Sequence, residues 1–179
     1  MTSPHPGASG RSRRTVWVAA LCALVAAGAV GWSATCPCDR TPGLVLLGSS
    51  EPAPVADWGF ANDVPLCQVQ VWTNTGPRAM NVTCMATPVG ELFISCSNGA
   101  EKYWCGQVGQ DEHARLRLNH AIYPVVLNRV VDRATLDRAW VARVSKLQVH
   151  NPSGAPVPAS GAARPESWWS FEARSAGAS

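Results

Sequence analysis

Between Thr15 and Thr35 the chain carries 21 consecutive uncharged residues rich in Ala, Val and Leu, and this run limits what the molecule can be. An α-helix needs ~20 apolar residues to cross the hydrocarbon core of a bilayer. No polar face interrupts the run, so it does not suit a helix lying on a globular surface. Arg11, Arg13 and Arg14 precede it, and no acidic residue occurs before Asp39. Positive charge on that side holds the N-terminus in the cytoplasm, and Trp32 falls where an interfacial aromatic belongs. The expectation is a cytoplasmic basic tail over residues 1–14 and a single transmembrane anchor over 15–35, with the globular part on the periplasmic or extracellular side. A cleaved signal segment is the alternative, because Ala27-Gly28-Ala29 offers a small-x-small processing site. Either route exports the globular part.

Cysteine usage fits that compartment. Seven cysteines occur, and disulfides persist outside the cytoplasm. Cys22 lies inside the apolar run, Cys36 and Cys38 come just after it, and Cys67, Cys84, Cys96 and Cys105 fall further on. Outside the run the number is even, although spacing does not fix the pairing. No second Cys or His pair has zinc-ligand spacing, so no metal is expected. Without the three N-terminal arginines, acidic and basic residues both number 12, which gives no basic footprint for nucleic acid.

Residues 36–65 are rich in Pro, Gly and Ser and read as a linker, in which Leu44 to Leu47 form an apolar patch able to dock. The globular domain is expected over 66–179. Gln68 to Trp72 and Arg78 to Ala86 alternate polar and apolar residues, the period of half-buried strands. Thr87-Pro88-Val89-Gly90 turns the chain into a further strand, Glu91 to Cys96. On that hairpin Cys84 and Cys96 share a parity, so they are candidates to lie together on one face. Ala114 to Leu118 and Ala121 to Val131 form another pair, with Pro124 expected at an edge or bulge. Asp132 caps a helix carrying Leu136, Trp140, Val144 and Leu147, and Ser167 to Ala173 closes the order. Antiparallel strands, one packed helix and a last strand predict a mainly β (α+β) small split barrel.

Three stretches carry a family resemblance: Leu92 to Trp104, the Arg115-Leu116-Arg117-Leu118 strand, and Ile122 to Trp140. In order and texture they resemble the FMN- or deazaflavin-binding split barrels, which are similar to pyridoxamine-phosphate oxidase. The resemblance implies a homodimer with FMN or deazaflavin (F420) at the subunit interface, and an oxidoreductase acting on a small molecule. It also implies a cation with hydroxyl donors for the cofactor phosphate: Lys102, with Ser95, Ser97 and Asn98. Trp104 would wall the ring system, and Gln107 would extend the polar arm. Gly106 stands where such sequences carry a basic residue, and Arg78 is the candidate to replace that charge. The alternative is the same barrel without cofactor, a disulfide-stabilised binding or structural module of the cell envelope.

Overall fold

A computed structural model describes residues 9–35, 43–51 and 54–177; Cys36 and Cys38 lie outside them, as do residues 1–8. Helix α1 (Ser9–Thr35) contains a 20-residue stretch, Arg13–Trp32, long and apolar enough to cross a membrane.

Six strands close a barrel: β2 (Cys67–Thr73), β3 (Gly76–Ala86), β4 (Leu92–Cys96), β5 (Glu112–Leu118), β6 (Ala121–Arg129) and β7 (Trp169–Ser175). The three meanders β2–β3, β3–β4 and β5–β6 arise from the turn signals. Closure comes from β2 pairing with β5 and from β7 pairing with both β4 and β6, all antiparallel. A seventh strand, β1 (Ser49–Ser50), adds to β6 in parallel. Alternation sends Val69, Val71, Val82, Ile94, Leu116, Val125, Leu127 and Phe171 into one core, because a closed barrel keeps one parity of each strand away from water.

Much of the expected linker is folded onto this barrel. Gly43 exchanges two backbone hydrogen bonds with Ala79, and Leu46 is buried against Ala79 and Ile122. Its amide donates to Gln70 Oε1 at 2.8 Å, while Arg115 and Arg117 donate to the carbonyls of Leu46 and Leu47. Trp58, Ala61 and Val64, around a short 3-10 helix (Gly59–Asp63), join the barrel core. Pro and Gly set the backbone's path here, but apolar side chains decide that it packs.

Pro124 is not at an edge, since β6 has neighbours on both sides. Ile122 O accepts from Glu51 N on the β1 side and Pro124 O accepts from Ala176 N on the β7 side. The proline nitrogen therefore faces the seam between β1 and β7, where no ladder donor is required. The cysteine pairing also differs from the parity argument. Cys84 bonds to Cys67 across the β2–β3 ladder, and Cys96 bonds to Cys105. Cys84 faces Ile94 rather than Cys96 in the β3–β4 register, so shared parity left the two cysteines apart along the strands.

Helix α3 (Arg133–Val149) is capped by Asp132, whose side chain accepts from Thr135 N. Ala139 and Ala142 pack on the outward residues Met85 and Phe93. Trp140, Val144 and Leu147 are buried as their spacing predicts, and two cations flank them: Lys146, which is buried, and Arg143, which is half-buried.

Candidate functional site

On β4 the pleat turns Ile94 and Cys96 inward and leaves Ser95 on the outer face beneath α3. Asn98, with φ at 53°, turns the chain, and its carbonyl accepts from the amides of Glu101 and Lys102. That turn folds Lys102 back so that Nζ donates to Ser97 Oγ at 3.0 Å. The Cys96–Cys105 bond pins the far end of the loop, where helix α2 (Tyr103–Gln107) begins. Gly99 is required here: a Cβ at this position would enter the ring of Trp169.

These features enclose a recess of about 160 Å³ between β3, β4, the turn and α3. Four of the six candidates, Ser95, Ser97, Lys102 and Trp104, line it, joined by Arg143 and Trp168. Asn98 is exposed on the turn and does not line the recess. Gln107 points elsewhere, with Oε1 accepting from Asn74 N at 3.4 Å. Arg78 is also elsewhere, 5.6 Å from the Tyr103 ring centroid. The second cation is Arg143, a residue the sequence did not single out. It occupies the position after Ala142 and before Val144, inside the buried stripe of α3, and a charge at such a position was the available signal.

Arg143 donates through Nη1 to Ser95 Oγ, and its guanidinium lies 3.9 Å from the Trp168 ring centroid. Its Nε is buried and has no hydrogen-bond partner. Burial pushes its pKa down to about 10, so the guanidinium is desolvated without an opposing charge. No carboxylate lines the recess among the described residues. Two cations, two hydroxyls and a free N–H donor form a set suited to an oxyanion, and planar guanidinium suits phosphate in particular. The space accepts a phosphate group but not a tricyclic ring, which would have to rest outside it beside Trp104.

No protein-family model and no curated protein matches the chain. Solved structures similar to it in fold include the following two. One is a candidate pyridoxamine 5'-phosphate oxidase from Listeria innocua, with 9% identity, 65% of this chain and 88% of that one covered, and a TM-score of 0.46. The other is the FAD binding protein from Mycobacterium smegmatis, with 12% identity, 68% and 96% covered, and a TM-score of 0.41.

Proposed function

We propose that this chain is a membrane-anchored, exported split-barrel protein that binds flavin mononucleotide and serves a redox reaction on a small molecule. The observation that carries the reading is the desolvated Arg143, with no carboxylate beside it and Nε unbonded, facing the same small recess as Lys102. A buried cation without a counter-charge is costly, and a phosphate dianion would remove that cost. Lys102, Ser97, Ser95 and Arg143 would hold the phosphate, and Trp104 would border the ring. A bound flavin supplies hydride and electron transfer. The recess holds only the phosphate, so the ring would be covered by a second copy in a homodimer. A deazaflavin phosphate would use the same donors.

One observation favours a cofactor-free envelope module: Trp168 already covers the Arg143 guanidinium in a cation–π contact. The two readings separate on adding FMN to the purified full-length protein. The flavin reading expects a shifted visible absorption band and a raised melting temperature. An unshifted flavin spectrum with an unchanged melt supports the cofactor-free module.

A further inference from the structure

A second concavity lies on the other side of α3, where it meets the β3–β4 turn and the 3-10 helix. Its volume is about 680 Å³, within the range of small-molecule sites. Ala86, Pro88, Val89, Val141 and Val149 form its apolar walls, and the three valines are 78%, 62% and 76% exposed. Lys146 also lines it yet is only 3% exposed, so it belongs to the inner wall.

The charges around this groove are unequal in their partners. Glu91 is engaged by Arg138 at 3.1 Å. Asp57 accepts from Gly59 N at 2.8 Å. The Lys146 amine donates to Ala61 O at 2.6 Å and meets Cys84 Sγ at 3.8 Å, but no carboxylate reaches it within ion-pair distance among the described residues. Asp63, exposed on the 3-10 helix, acts on it only through space. An ammonium ion set into an apolar wall without an acid is strongly penalised. A ligand bringing its own carboxylate and an aliphatic body would satisfy both the charge and the walls.

We propose that this groove binds the free acid of an aliphatic chain, its carboxylate toward Lys146 and its chain along Val89, Val141 and Val149. Arg143 faces the recess on one side of α3 and Lys146 the groove on the other, so this site does not depend on flavin binding.

The test uses the full-length chain in lipid nanodiscs with a diazirine-bearing dodecanoic acid as photoprobe. Light should attach the probe to peptides covering 86–91 and 138–149, with dodecanoate competing and dodecanol not. Lys146→Met should cut that labelling at least about tenfold, as loss of one charge-assisted contact does. Val141→Trp, at an exposed position that does not endanger folding, should cut it similarly by filling the groove. Lys102→Ala should change nothing, and probe reaching Arg13–Trp32 from the bilayer checks that every variant met the same dose. Groove peptides labelled no more than other surface peptides would overturn the proposal. So would dodecanol competing as well as dodecanoate, or labelling that ignores Val141→Trp.

Discussion

Lys146 and Arg143 show how a single charged side chain can be structurally expensive and informative together. Burial lowers the Lys146 pKa to about 8 from an ordinary 10.5, with the Asp63 charge opposing the shift. Between those values the unfolded chain binds a proton that the folded chain does not. Folding stability from this group therefore rises with pH across that window, and its penalty is complete below about 8. Denaturant melts from pH 7 to 11 should show this rise, and Lys146→Met should flatten it; an equal slope in the variant would show that Lys146 is not the source. Lys102 presents the opposite case. It is exposed, so Lys102→Ala should leave the thermal melt within about 0.5 kcal/mol of wild type. Lys102, Ser95, Ser97 and Trp104 were legible because one hairpin and its turn hold them close in sequence. Arg143 was not, because its proximity to Ser95 depends on how α3 sits on the sheet.

At the scale of elements, local signals carried far and stopped at ladders between distant strands. Sequence patterns located the six barrel strands and the Asp132 cap located α3, whereas β1, inside the expected linker, had no such signal. The pairings β2–β5, β4–β7 and β6–β7 join residues far apart in sequence, which no local period encodes. That gap also explains the cysteines: parity places them on a face, whereas register decides which two meet. Non-reducing peptide mapping should return Cys67–Cys84 and Cys96–Cys105 from the folded protein. Removing either bond by a paired Cys→Ser change should cost about 2–5 kcal/mol, read by denaturant titration. A Cys84–Cys96 peptide would contradict the register. Losing Cys96–Cys105 should harm the recess more, because that bond holds the loop bearing Lys102.

The whole molecule carries a long apolar helix and a barrel against which residues 43–51 and 54–66 are folded. Composition drew the boundary at Leu66, because Pro and Gly dominate the stretch before it; Leu46, Trp58 and Ala61 moved the fold's beginning upstream. These few apolar residues were visible in the sequence, but their burial depends on grooves that only the assembled barrel offers. The proposed function requires that the barrel be exported, which a topology reporter tests. A reporter fused after the C-terminus should be active only outside the cytoplasm, and one placed before Arg11 only inside. Cytosolic activity of the C-terminal fusion would remove both the anchor topology and the oxidising setting for the disulfides.

In the proposed function a desolvated arginine and a neighbouring lysine recognise the phosphate of a flavin, and riboflavin, which lacks that phosphate, is the discriminating ligand. Dissociation constants should be measured for FMN and riboflavin with the full-length protein and with Arg143→Met. Wild type should hold FMN at least about tenfold more tightly than riboflavin, and Arg143→Met should erase most of the difference. Equal affinity for the two compounds in wild type, or an FMN preference untouched by Arg143→Met, would contradict it.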